Sequence, residues 1–341
     1  MKAVYFEKTG GPEVLKEGSF PDPVVLKNGV LVEVKACALN RLDIWIRQGA
    51  LSVPIPMPHI LGADVAGTVL EVAKGVKGLK KGRRVVLSPG QLLKNPKAYE
   101  GRDSYSPDFT ILGFQTQGGY AEKVAVDARF ALPVSDRYSF EEWASFPLAA
   151  LTAYHMLVTR ARLKKGETVL VHAAGSGIGG FAIQVAKKLG AKVFTTVGGP
   201  EKIAPARKLG ADEIILYRTE DFSHEVRKLT GDRGVDVIFE HIGPDTWPKN
   251  LACLARGGRM VTCGATSGPK AEIDIRYLFA KQLSVLGSYM GSLSELKEVF
   301  QWAEKGHLKP TLDRVFPLAE AAQAHRRMES RGNFGKIVLK V

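Results

Sequence analysis

The chain has 341 residues, 45% hydrophobic and 24% charged; this excludes wholesale disorder and exceeds the roughly 250–300 residues that one core serves, so two domains are expected. Its three cysteines, Cys37, Cys253 and Cys263, are too few and too dispersed for a disulfide framework or a cysteine-built zinc site. The formal charge of +13 favours anionic partners, but the basic residues are scattered, which sets nucleic acid aside in favour of a phosphorylated cofactor or a coenzyme-A-type substrate.

The opening Met1-Lys2-Ala3-Val4-Tyr5-Phe6-Glu7 turns polar too soon for a secretory signal, and no apolar run approaches the roughly 20 residues of a membrane span. The expectation is a cytoplasmic protein with no membrane partner. The first 125 residues carry many Gly and Pro turns, with strand-like pieces at 30–35, 66–72 and 85–87, which predicts a mainly antiparallel β domain. From about residue 166 the pattern changes. Thr168–Val171 reads as a strand buried on both faces. Ile178, Phe181, Ala182, Val185, Ala186 and Leu189 then recur at helical spacing up to Gly190. Strands at 192–197, 213–217, 235–241 and 259–264 alternate with helices at 201–209, 221–229 and 246–254. Strands alternating with helices of about ten residues predict a parallel, doubly wound sheet. A further strand is read at 284–289, and Ser292-Leu293-Ser294-Glu295 is a capping box opening a helix with Leu296, Val299, Phe300 and Ala303. Residues 335–341 read as a strand that folds back onto the N-terminal domain, with a cleft expected between the two domains.

Between the strand at 168–171 and its helix lies Gly175-Ser176-Gly177-Ile178-Gly179-Gly180, in which Gly175, Gly177 and Gly180 match a G-x-G-x-x-G turn. In that context glycines let the backbone approach a pyrophosphate, and the helix N-terminus offers free amides and a positive dipole end. The next strand ends Thr195-Thr196-Val197-Gly198-Gly199-Pro200, without the carboxylate that usually holds a ribose 2′-hydroxyl, and Lys202 follows. An ammonium there suits a 2′-phosphate, so NADPH is favoured over NADH.

With these residues in hand, the chain resembles the medium-chain dehydrogenase/reductase superfamily along its whole length. The resemblance is carried by Ala36-Cys37-Ala38-Leu39-Asn40-Arg41-Leu42-Asp43, Leu61-Gly62-Ala63-Asp64-Val65-Ala66-Gly67, Gly118-Gly119-Tyr120-Ala121-Glu122, Leu151-Thr152-Ala153-Tyr154 and the turn at 173–179. It implies an α/β protein: a Rossmann domain at 126–290 and a GroES-like catalytic domain at 1–125 completed by 291–341. Zinc alcohol dehydrogenases of the superfamily carry a cysteine where this chain has Asn40 and a histidine where it has Ala63. Residues 88–113 resemble their structural-zinc lobe, with Leu93, Pro96, Tyr99 and Ser106 roughly where the cysteines stand. Without a thiolate and that imidazole, no tetrahedral zinc site is expected. Zinc-independent quinone oxidoreductases of the zeta-crystallin-like branch share the Asn.

Loss of a Lewis acid points to acceptors that are already electrophilic, namely quinones, enones or enoyl thioesters, whose reduced anions hydrogen bonds can stabilise. By resemblance, Thr152 touches the nicotinamide, Asn40 donates to the substrate oxygen or the carboxamide, and Trp45 walls the pocket, unless it is plain core. His59 donates a proton or hydrogen bond, unless it is a satisfied loop histidine. Tyr217 approaches the 2′-phosphate, and Gly264 and Ala265 hold the carboxamide. Asp43 and Asp64 read as structural, tying down the turn between them. The strand at 284–289 resembles the edge through which relatives pair, implying a homodimer or homotetramer. Two rival readings stay open: an alcohol dehydrogenase acting on simple alcohols or aldehydes, and a non-enzymatic NADPH- or RNA-binding protein.

Overall fold

Buried Val30, Val32, Val34 and Ala36 alternate with half-exposed Leu31, Glu33 and Lys35, the period-two pattern of a strand with one face in a core. The computed structural model, which describes residues 1–51, 53–94 and 96–341, places them in a ten-residue strand. In chain order the first elements are β1 (Lys2–Phe6), β2 (Lys16–Ser19), β3 (Gly29–Ala38), α1 (Arg41–Gln48), β4 (His59–Ile60), β5 (Asp64–Val72), β6 (Arg84–Leu87), β7 (Gly90–Leu92), β8 (Phe109–Ile111), β9 (Lys123–Asp127) and β10 (Ala131–Pro133). Every pairing among them is antiparallel: β1 with β2 and β4, β3 with β5 and β9, β6 with β5 and β10, and β7 with β8. The β7–β8 hairpin is the lobe expected at 88–113. Helix α2 (Phe140–Ala144) opens on a capping box from Ser139 to Glu142, and α3 (Pro147–Tyr154) runs on as a π-helical stretch, His155–Arg160.

Next come β11 (Thr168–Val171), α4 (Gly177–Lys188), β12 (Lys192–Val197), α5 (Ile203–Lys208), β13 (Glu213–Leu216), α6 (Phe222–Leu229), β14 (Val235–Glu240), α7 (Trp247–Cys253), β15 (Leu254–Thr262), α8 (Ile275–Ala280) and β16 (Ser284–Gly287). Their strands form one parallel sheet in the order β13-β12-β11-β14-β15-β16, doubly wound about a switch point between β11 and β14. The chain closes with α9 (Leu293–Glu304), β17 (Leu312–Pro317), α10 (Ala321–Glu329) and β18 (Lys336–Lys340). Strand β18 is antiparallel to β3 and parallel to β17, so the tail does complete the N-terminal sheet.

The chain divides into two units, residues 1–151 with 291–341 and residues 152–290. Residues 126–151, counted with the Rossmann half from sequence, sit in the first unit. Strand β10 extends that unit's sheet through β6, and the Trp143 indole donates to the Ser135 carbonyl at 3.1 Å. Several element boundaries also differ. The helix expected from 201 begins at Ile203, after a 3₁₀ turn over Pro200–Lys202. Strand β13 stops at Leu216, leaving Tyr217 beyond it. Strand β15 starts at Leu254, directly after α7, where its register against β14 shifts.

Candidate functional site

In the first unit the chemistry gathers where β3 hands over to α1. Asn40 is the N-cap residue, and Asp43 one turn on accepts its backbone N–H at 2.7 Å. The other Asp43 oxygen accepts from the Gly62 amide at 3.1 Å, so this carboxylate does tie down the turn before β5. Burial pushes Asp43 up to about 7 against the pull of those amides and of Lys336. The Asn40 side chain is turned away from its own helix. Its Nδ2 donates to Asp64 Oδ2 at 2.9 Å, and its Oδ1 accepts from the Lys336 ammonium at 2.6 Å. Lys336, from β18, also donates to Asp64 Oδ2 at 2.9 Å, while Asp64 Oδ1 accepts from the Leu148 amide at 2.8 Å. Asp64 is fully buried, Lys336 4% exposed and Asn40 7% exposed. A buried carboxylate left without its cation is costly, so these three side chains form one charge-balanced cluster.

This is where zinc relatives carry their thiolate and imidazole. An amide, the Ala63 methyl and a carboxylate already paired with an ammonium do not fit a tetrahedral zinc ion. Among the described residues no group of three His, Cys, Asp or Glu side chains is placed to hold a metal.

The other expected residues of this unit are differently placed. His59, on β4, is buried with Nε2 3.0 Å from the Gly113 carbonyl and its ring edge-on to Phe6. Burial holds its pKa below the usual value, so it is a neutral histidine committed to a backbone acceptor, the satisfied alternative of the sequence reading. Trp45 lies half-buried on α1. A second network was not read from sequence. Arg47 donates to His325 Nδ1 (3.2 Å), which leaves the ring proton on Nε2, facing the Tyr120 hydroxyl at 3.2 Å. Burial, with Arg47 adding to it, lowers His325 to about 3.

In the second unit the glycine turn is built as its pattern predicts, with one reassignment. Ala173 sits at φ 55, and Ser176 caps α4 by accepting from the Gly179 amide at 2.9 Å. A Cβ on Gly179 would lie 2.3 Å from the Ala173 carbonyl oxygen, whereas one on Gly180 would meet Leu209 at an ordinary 3.4 Å. The position that demands glycine is therefore Gly179, one place before the last glycine of the motif. Among the described residues the Gly177 and Ile178 amides in this first turn have no protein acceptor, which fits a bound phosphate. Thr196, at the end of β12, anchors the turn. Its hydroxyl accepts from the Ala173 amide at 3.0 Å and faces His172 Nδ1 at 3.3 Å, and its carbonyl accepts from the Ala174 amide at 3.0 Å. His172 donates its single ring proton, on Nε2, to Asn250 Oδ1 at 2.7 Å, and burial lowers it to about 4.

Beyond β12, a Cβ on Gly198 would stand 2.9 Å from the Tyr217 hydroxyl, so the expected Tyr217 borders the segment that leads into Lys202. Gly264 follows β15 and approaches the His241 carbonyl; His241 Nε2 in turn donates to the His172 carbonyl at 3.1 Å. Gly264, Ala265 and the glycine turn thus share the carboxyl ends of β11, β14 and β15. Thr152 is buried near the end of α3, at the start of this unit. The sequence reading missed Glu240, the last residue of β14. Its fully buried carboxylate accepts from five donors: the Ile242 and Gly243 amides and Thr246 on Oε1, and the Trp247 indole and Thr262 on Oε2.

Comparison with known proteins agrees with this architecture. Residues 27–136 match the alcohol dehydrogenase GroES-like domain family, and residues 177–305 match the zinc-binding dehydrogenase family. Quinone oxidoreductase 1 of Escherichia coli K12 is 35% identical with 98% of each chain covered, and the human quinone oxidoreductase is 31% identical, covering 99% of this chain and 97% of its own. A crystal structure described as an NAD-dependent alcohol dehydrogenase is 42% identical with a TM-score of 0.97 and covers all of both chains.

Proposed function

The chain belongs to the medium-chain dehydrogenase/reductase superfamily as a quinone-oxidoreductase-like oxidoreductase, and from that premise we propose that it reduces a quinone or an α,β-unsaturated carbonyl with NADPH and without a metal. The observation that carries the reading is the Lys336–Asn40–Asp64 cluster, whose donor set suits hydrogen bonding to an oxygen and does not suit zinc. NADPH, when bound, supplies the hydride. The turn from Gly175 through Ser176, Gly177, Ile178 and Gly179 holds its pyrophosphate, Lys202 and Tyr217 its 2′-phosphate, and Gly264 and Ala265 its carboxamide. Thr152 packs on the nicotinamide, Trp45 walls the acceptor, and Asn40 donates Nδ2–H to the acceptor oxygen as negative charge develops there.

The test is NADPH oxidation by chelator-treated protein offered a quinone, a short enone, an enoyl thioester and an aldehyde. Turnover of one of the first three identifies the acceptor class. A second reading, oxidation of a simple alcohol with NAD, is favoured by the similarity to the structure described as an NAD-dependent alcohol dehydrogenase. Alcohol-dependent NAD reduction that appears only after zinc is restored would replace the first reading with it. For assembly, β16 ends the sheet among the described residues, Val285 on it is exposed, and Ile275 (64%) and Phe279 (71%) are exposed on the preceding helix α8. We propose a homodimer, or a homotetramer built from it, through this edge.

A further inference from the structure

An asparagine amide presents either an oxygen or an NH₂ to a ligand, and which it presents is set by its protein partners. Asn40 has its oxygen against the Lys336 ammonium and one N–H against the Asp64 carboxylate. Reversing the amide would set NH₂ against NH₃⁺ and oxygen against a carboxylate, two repulsive contacts in a buried place. The present orientation uses one Nδ2–H, and among the described residues the second has no acceptor, although Asn40 is more than nine-tenths buried.

We propose that Lys336 is a positioning residue for the reaction: its ammonium locks the Asn40 amide with a donor turned outward and pairs with the Asp64 carboxylate that holds the same amide. The inference rests on the reading of Asn40 as donor to the acceptor oxygen. Lys336 is 4% exposed, and its ammonium is held by Asn40 and Asp64. It acts at 2.6 Å on Asn40 and 2.9 Å on Asp64, from a strand almost at the other end of the chain. The charged and titratable groups facing Asp64 are Lys336 from β18, Asp43 from α1 and the Cys37 thiol from β3, which burial keeps protonated. Lys336 is the sole cation of that set. Without it the Asn40 oxygen loses its donor, Asp64 is left buried without its cation, and nothing holds the amide against reversal.

The experiment compares Lys336→Met, Lys336→Met/Asp64→Asn and Asn40→Ala with the unaltered protein, measuring quinone kcat/KM across pH 5.5–9 and NADPH affinity by fluorescence. Lys336→Met is expected to lose about tenfold or more in quinone kcat/KM, with NADPH affinity within about twofold, and to show an ionisation missing from the unaltered protein. The double variant removes the uncompensated charge, so it reports on the same lock if the single variant does not fold. It is expected to keep the rate loss and to lack the new ionisation. Unaltered quinone kcat/KM in the double variant, or an unaltered pH profile in a folded Lys336→Met, would overturn the inference. If Asn40→Ala also keeps full rate, it is the donor reading of Asn40 that fails.

Discussion

Glu240 is a buried carboxylate with no cationic side chain bonded to it among the described residues; it accepts from two backbone amides, two hydroxyls and an indole. Glu240→Gln keeps its shape and changes one oxygen into an NH₂. The NH₂ is worst placed at Oε1, where it would face two backbone amides, so it takes the Oε2 position. There the Thr262 hydroxyl can rotate to accept, but the Trp247 indole can only donate. One buried donor is left unsatisfied, at about 1–3 kcal/mol, and the surviving bonds drop from charged to neutral strength, each losing about 1 kcal/mol. Easier burial of the neutral amide offsets part of this, leaving an expected loss of about 2–4 kcal/mol. The assay is urea unfolding followed by circular dichroism, with NADPH affinity measured beside it, because the same carboxylate fixes the loop after β14. A variant within about 0.5 kcal/mol of the original, with unchanged affinity, would refute the account.

Gly179→Ala, which puts a methyl 2.3 Å from the Ala173 carbonyl, is expected to weaken NADPH at least tenfold in a fluorescence titration, while Gly180→Ala stays near wild type. Lys202→Glu is expected to lower the NADPH-to-NADH preference in kcat/KM by about tenfold or more, since a carboxylate replaces the ammonium proposed to meet the 2′-phosphate. His172 and His325 are held neutral, at about 4 and about 3, so the unfolded chain binds more protons than the fold below pH 6.5, and stability falls as pH drops from 6.5 towards 4. Asp43, raised to about 7, acts oppositely: its contribution is full below the unfolded value of 3.8 and is lost as pH rises through 7, so Asp43→Asn should steepen the rise in melting temperature between pH 4.5 and 6.5. Phe279→Glu with Val285→Lys is expected to yield monomers in light scattering; an intact dimer would move the interface elsewhere.

The doubly wound sheet was legible because each strand is a short apolar run, such as Thr168–Val171, closed by a glycine or a capping residue. The glycine turn was legible for the same reason, since backbone approach leaves its mark within a few positions. What stayed hidden depends on long separations. Lys336 lies in an unremarkable strand, and only the pairing of Val338 with Ala38 brings it to Asn40 and Asp64. Glu240 and His172 carry no local pattern that would announce five donors or an Asn250 partner. Sequence left His59 open between a donor and a satisfied loop histidine, because the backbone acceptor it meets, Gly113, is 54 residues away. Tyr217 and residues 126–151 show the remaining weakness: a strand's last residue and a domain's edge are decided by packing rather than by propensity.

Strand β18 also sets an order on the making of the molecule. On a ribosome, β3 is synthesised long before its neighbour exists, and the whole parallel-sheet unit is threaded between them in time. The first unit to emerge is thus the last able to finish, holding part of the β3 edge open until the final strand arrives. The unit made in between can close from its own residues alone. An interrupted chain would accordingly leave a finished nucleotide-binding half attached to an unfinished one, with the open edge of β3 as its point of vulnerability to other nascent chains.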